Sequence, residues 1–222
     1  MAQPSTALTE QTIRTALVAY LRSSLGTEDV LIEELGIEHG AARVDVAMTS
    51  DRLMGFEIKS DFDTLDRLAR QMHAYHRVFD ALTIVTTPAF LLQIEALLPK
   101  WWGILVVTAD QGQTPTLVEL RAPAAHPRQE AESLAALLWR DEAYSFLMEE
   151  AGAIVKARAA RHLIYEAIAA AIPLPKIRYR VLVALKSRES LRRRSHGSGE
   201  HLPYREHQMM AGCVSPPRHE IA

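Results

Sequence analysis

A chain of 222 residues, 48% hydrophobic and 23% charged, can bury one sizeable core plus an appendage and has ordinary globular composition. Its one cysteine, Cys213, excludes a disulfide framework, a cysteine-ligated zinc and a four-cysteine iron–sulfur cluster. The net charge of −2 is unevenly spread, with Lys176 to Arg194 carrying +7 and the remainder −9. Met1 to Glu10 has no charged stretch leading into an apolar one, and no apolar run is long enough to span a bilayer. The expected location is therefore the cytoplasm, with no membrane contact.

Leu8 to Leu25 predicts a first helix, with Ile13, Leu17, Tyr20 and Leu21 at helical spacing. Val30 to Leu35 predicts a strand. Ala41 to Met48 alternates, placing Val44, Val46 and Met48 on one face and Arg43 and Asp45 on the other. Leu53 to Lys59 alternates too, with Glu57 and Lys59 opposite Met54, Phe56 and Ile58. Thr49 to Arg52 between them reads as a turn. Asp63 is the expected N-cap of the next helix, with Asp66 as its acidic partner. That helix is expected to run to about Phe79 and to bury Leu65, Leu68, Met72 and Phe79. Leu82 to Thr86 is a strand, Pro88 to Leu98 a helix, Trp102 to Thr108 a strand and Leu117 to Leu120 an edge strand. The order mixes a hairpin with strand–helix–strand crossovers, so it predicts an α/β fold with a mixed sheet and helices on both faces.

Pro123 to Pro127 reads as a linker. Beyond it come helices over Ala131–Trp139, Glu142–Glu150, Arg158–Ala171 and Ile177–Leu191, and then a Gly-, Ser-, His- and Pro-rich tail expected to be disordered. The expected organisation is a core over 1–122, a small all-helical C-terminal domain over 128–194, and a tail over 195–222.

With Ser50-Asp51-Arg52 as the loop, Asp45 lies across the hairpin from Glu57, and the Cβ atoms fall roughly 5 Å apart. Two carboxylates that close repel unless a cation sits between them. Oxygen ligands suit Mg²⁺ or Mn²⁺, and Lys59 would project beside such an ion. Glu34 is a third candidate carboxylate, with Glu33 pointing away. Glu10 is a further one, although a first-turn acid also serves the helix dipole. Arg43 can face Lys59, pair with Glu34 or contact phosphate. Asp63, Arg67, Gln71 and Tyr75 recur every four residues as a polar stripe.

Asp45, a spacer, then Glu57-Ile58-Lys59, followed by a helix carrying Gln71-Met72-His73-Ala74-Tyr75, resembles the PD-(D/E)XK, or restriction-endonuclease-like, nuclease superfamily. The Gln-x-x-x-Tyr spacing is similar to its RecB-type branch. The similarity covers about residues 9 to 110, which also look like a poorly characterised bacterial family. The resemblance implies a restriction-endonuclease-like core and metal-dependent hydrolysis of DNA, in repair or in a defence or mobile-element system. It implies Asp45, Glu57 and the Ile58 carbonyl as ligands of Mg²⁺ or Mn²⁺, with Glu34 as an added carboxylate and Lys59 acting on water and phosphate. Arg43, Arg67, Gln71 and Tyr75 are then the candidate nucleic-acid contacts. The alternative is a non-catalytic nucleic-acid-binding or protein-interaction module that keeps the fold, with the helical C-terminal domain as the docking part.

Other chemistry has less support. The scattered histidines form no zinc pattern, and His73 and His76 are expected on a helix surface. There is no Gly-rich phosphate loop, so no nucleotide cofactor is expected. Trp101 and Trp102 read as core. The helix over Lys176 to Arg194 reads equally as an amphipathic packing helix and as a DNA contact.

Overall fold

The computed structural model describes residues 7–109, 114–126, 128–152 and 155–197, with side chains as far as Arg193. Six strands form one sheet in sequential order: β1 (Val30–Ile37), β2 (Ala42–Thr49), β3 (Leu53–Lys59), β4 (Ala81–Thr86), β5 (Gly103–Thr108) and β6 (Thr116–Arg121). β1, β2 and β3 are antiparallel, β3, β4 and β5 are parallel, and β6 returns antiparallel at the edge. The parallel strands are joined by α2 (Leu68–His76) and by a short turn leading into α3 (Leu91–Leu97). The α/β mixed sheet expected from the sequence is the observed architecture.

The sheet separates two apolar clusters. On one face lies α1 (Glu10–Arg22), capped by Thr9, whose hydroxyl accepts the Thr12 N–H at 3.2 Å. It buries Ile13, Leu17, Val18 and Leu21 against Val46, Phe56, Ile58, Val85 and Leu105. Each such side chain contributes roughly 1.5–3 kcal/mol on burial. Tyr20, expected on that face, is instead exposed, and Val18 takes its place.

The other face carries α2, α3 and all four C-terminal helices: α4 (Ala131–Ala135), α5 (Arg140–Ala151), α6 (Arg161–Ala171) and α7 (Leu174–Gly197). Leu134, Leu147, Ile168, Ile177 and Leu185 belong to the same buried cluster as Val44, Leu53, Phe79, Leu82 and Trp102. The helices therefore share the core of the sheet rather than enclosing one of their own. The Pro123–Pro127 stretch is tied down as well. Ala124 N–H donates to the Trp101 carbonyl at 2.9 Å, His126 N–H to Asp80 at 2.6 Å and Glu130 N–H to Arg77 at 2.8 Å. Residues 195–197, expected in the tail, continue α7, and 198–222 lie outside the described residues. Among the described residues no helix is long and apolar enough to cross a membrane.

Most of the described basic side chains of α7 are engaged in ion pairs. Ile177, Val181 and Leu185 are buried. Lys176 pairs with Glu150, Arg178 with Asp80, Arg180 with Glu149 and Arg188 with Glu142, while Arg192 and Arg193 both pair with Glu189. Of the two readings of this helix, these contacts favour packing. Its charge is matched locally by acids, most of them on other elements.

His76 is not the surface residue its position suggests. Trp102 Nε1 donates to its Nε2 at 2.9 Å, and its ring lies 4.7 Å from that of Trp101 and 5.3 Å from that of His126. Burial, then the neighbouring His126 and His73, lowers its pKa to about 4. The folded form then takes up this proton later than the unfolded chain, whose histidine titrates near 6.5. The unfolded state binds more protons between those values, so stability falls as pH drops from about 6.5 to about 4. His76→Gln, which keeps an acceptor for Trp102, should flatten that part of the stability–pH curve in denaturant melts. A slope unchanged in the variant would move the effect to another group.

Candidate active site

The hairpin register is the one the turn length dictates. Val46 faces Phe56, Ala47 faces Gly55 and Thr49 faces Leu53, which places Asp45 level with Glu57. The paired ladder stops at Val46–Phe56, although β2 continues back to Ala42 and β3 on to Lys59. In the opening between them the Asp45 side chain takes over a backbone role: its Oδ2 accepts the Ile58 N–H at 2.7 Å. The neighbouring β1–β2 pair changes faces at the same level. Ile32, Leu35, Val44 and Ala47 pack into the helix-rich cluster, whereas Leu31, Val46 and Met48 face α1. Strict alternation would have kept Val44 with Val46, as the sequence suggested. The switch coincides with Glu34, a non-glycine residue in the left-handed region at φ 59°.

Glu57 and Lys59 project from β3 towards α2, and both are buried, at 2% and 5% exposure. Lys59 Nζ donates to Glu57 Oε1 at 2.7 Å and to Gln71 Oε1 at 3.2 Å. Gln71 Nε2 donates to Glu57 Oε1 at 2.7 Å, and the Tyr75 hydroxyl donates to Glu57 Oε2 at 2.7 Å. The same hydroxyl lies 2.7 Å from the Arg43 carbonyl, tying the network back to β2. Burial, then the Glu57 charge, raises the Tyr75 pKa far above the phenol range, so the hydroxyl remains a donor. On the same strand, glycine at position 55 leaves room for the Leu82 and Phe79 side chains. A Cβ there would come within 2.8 Å of Leu82 and 3.1 Å of Phe79.

The nucleic-acid roles expected for Gln71 and Tyr75 are therefore corrected. Tyr75 is fully buried, and both side chains are turned inwards onto Glu57. The polar stripe is also shorter than its spacing suggests. α2 begins at Leu68, and Asp63 is not its cap but accepts from the Ser60 N–H at 2.9 Å and the Ser60 hydroxyl at 2.6 Å. Leu65 and Met72 are half-buried rather than fully buried. Arg67 is exposed at the start of the helix. Arg43 is 66% exposed and reaches Glu34 through Nε at 2.5 Å, choosing between the partners the sequence offered.

Asp45 looks towards α1. Oxygens of Glu10, Glu34 and Asp45 lie within 4.8 Å of one another. Arg14 reaches all three: it pairs with Glu10 and Glu34, and its Nη2 lies 3.4 Å from Asp45 Oδ1. Burial and then the Glu57 charge push the Asp45 carboxyl up to about 7, against the Ile58 N–H and Arg14, which lower it. Sequence reasoning did not single out Arg14. Its signal was the four-residue spacing from Glu10 on the polar side of α1. The oxygen cluster of Glu10, Glu34 and Asp45 is of the kind that suits a hard divalent cation such as Mg²⁺ or Mn²⁺, whereas Glu57 lies outside it with both oxygens engaged by Lys59, Gln71 and Tyr75. Glu33 is exposed, and Glu34 is the carboxylate that turns towards Asp45.

The chain matches the bacteriophage P4 protein cII family over residues 3–198. It is 34% identical over 89 residues to protein cII of Enterobacteria phage P4, a match covering 40% of this chain and 34% of that protein. The chain thus spans about a third of the length of the curated relative it matches. Among solved structures it is similar to a protein of unknown function from Silicibacter pomeroyi, at 18% identity and a TM-score of 0.41, covering 71% of this chain and 99% of that one. The match along nearly the whole described chain places it in a family: this chain belongs to the bacteriophage P4 protein cII family.

Proposed function

We propose that this chain is a metal-dependent phosphodiesterase acting on DNA in the cytoplasm, built on a restriction-endonuclease-like core of the PD-(D/E)XK type. The observation that carries the reading is the buried Glu57–Lys59 pair at the end of β3, fixed by Gln71 and Tyr75 and set beside Asp45. Desolvating such a pair costs several kcal/mol per ion, and apolar residues of similar volume would hold the sheet as well or better. Buried charges converging with a carboxyl of raised pKa are what catalytic sites require.

Asp45 and Glu57 would hold the ion, with the Ile58 carbonyl and Glu34 completing the protein ligands. A bound Mg²⁺ or Mn²⁺ acidifies a coordinated water and offsets charge on the phosphate. Lys59 has three N–H donors and spends two on Glu57 and Gln71, which leaves one to orient a water and to face the anionic transition state. Gln71 and Tyr75 act as positioning residues that fix both Glu57 oxygens. Arg43 and Arg67, both exposed, would meet the DNA backbone.

A second reading is favoured by Arg14, whose guanidinium already supplies a cation to the carboxylates. In that reading the chain is a nucleic-acid-binding or protein-interaction module that keeps the fold without the chemistry. DNA cleavage separates the two. The purified protein should fragment DNA in Mg²⁺ or Mn²⁺ and not in chelator, and Glu57→Gln should slow it by about 10²-fold or more. No cleavage in either metal would leave the binding module. An undiminished rate in Glu57→Gln would place the activity at another site.

A further inference from the structure

Arg14 has no part in the chemistry above, yet it touches more of the site's carboxylates than any ion pair elsewhere in the described chain. Nη1 goes to Glu34, and Nη2 goes to Glu10 and Asp45. Three carboxylates this close cannot all remain ionised without a cation, and guanidinium is charged at every working pH. We propose that Arg14 is a displaceable internal counter-ion: it holds the cation's place in the metal-free protein, and binding of a divalent ion releases it. The inference rests on the metal-dependent reading of the site.

Three observations mark Arg14 as replaceable rather than as a fixed bridge. Its Nε is buried with no partner, whereas a permanent clamp would satisfy every donor. Its contact with Asp45 is long at 3.4 Å, while the other Asp45 oxygen is anchored by the Ile58 N–H at 2.7 Å. The carboxylate therefore stays in position when the guanidinium leaves. Glu34 keeps a second cation, Arg43 at 2.5 Å, so losing Arg14 does not strand it. The departing side chain has a companion in Glu10, one turn earlier on α1 and half exposed. A divalent ion entering among the carboxylates makes the guanidinium charge redundant and repels it. Arg14 then becomes a cation available to an anionic phosphodiester. Metal and DNA should strengthen each other's binding by the same factor.

The test is Mn²⁺ titration by calorimetry on the full chain, without DNA, comparing parent, Arg14→Gln and Asp45→Asn. Arg14→Gln should bind Mn²⁺ about tenfold tighter or more, because a competing charge a few ångströms away is gone. It should also show a larger Mn²⁺-induced rise in melting temperature, and Asp45→Asn should bind least. Equal or weaker binding in Arg14→Gln overturns the proposal and leaves the metal site standing. Absence of Mn²⁺ binding in both parent and Arg14→Gln overturns the metal-dependent reading beneath it. If Arg14→Gln is unfolded without metal, folding restored by Mn²⁺ supports displacement. Failure of Mn²⁺ to restore folding makes Arg14 a fixed structural bridge and ends the proposal.

Discussion

Lys59→Ala should lose about 3–5 kcal/mol of folding stability along with any nuclease activity, because it leaves Glu57 buried without its cation. Gln71 and Tyr75 would still donate to the carboxylate, but neither carries charge. The informative comparison is the double variant Glu57→Gln/Lys59→Met. With both charges removed, urea melts should recover most of the lost stability while DNA cleavage stays absent. That outcome would show that the pair is held for chemistry and not for the fold. A Lys59→Ala protein as stable as its parent would mean that Glu57 is neutral or compensated elsewhere, and the catalytic argument from burial would fall with it.

Ending the chain at residue 127 should prevent cooperative folding, although the whole hairpin, both crossovers and all six strands would remain. The sheet face bearing Val44, Leu53, Leu82 and Trp102 shares its buried cluster with α4 to α7 as well as with α2 and α3, and the part the C-terminal helices complete would be left to water. The intact chain should show one unfolding transition, coincident by tryptophan fluorescence and far-ultraviolet circular dichroism. The fragment should lack a near-ultraviolet signal and aggregate. Within the intact protein, Leu147→Ala at the shared interface should cost about 2–5 kcal/mol. A fragment that melts cooperatively would restore the two-unit organisation suggested by the Pro123–Pro127 composition.

The order of elements was legible because each strand and helix writes its own period into the chain. The hairpin register followed from the three-residue loop, so the level of Asp45 and Glu57 could be read before any contact was seen. The facing of Val44 could not, because the switch at Glu34 is a backbone event with no compositional mark. Glycine or asparagine would have announced it, and glutamate does not. Gln71 and Tyr75 were found by their spacing, but Glu57 as the partner of both was not. Two polar residues four apart read as a solvent stripe unless buried charge awaits them on the sheet. Likewise the two readings of the basic run in α7 could not be told apart because Asp80, Glu142, Glu149 and Glu150, which take up its charges, lie 26 to 98 residues away in the chain.

Position 34 sets local comfort against the needs of the site. A left-handed backbone costs a side-chain-bearing residue about 1–2 kcal/mol, and glycine would avoid that cost. Glu34→Gly would therefore relax the strand locally, but it would leave Arg14 and Arg43 without the carboxylate they share. The residue that suits the backbone and the residue that suits the charges are different, and the chain carries the second. A search for stabilising substitutions would choose this position early. It is one where a gain in melting temperature and a loss of whatever the site does should arrive together.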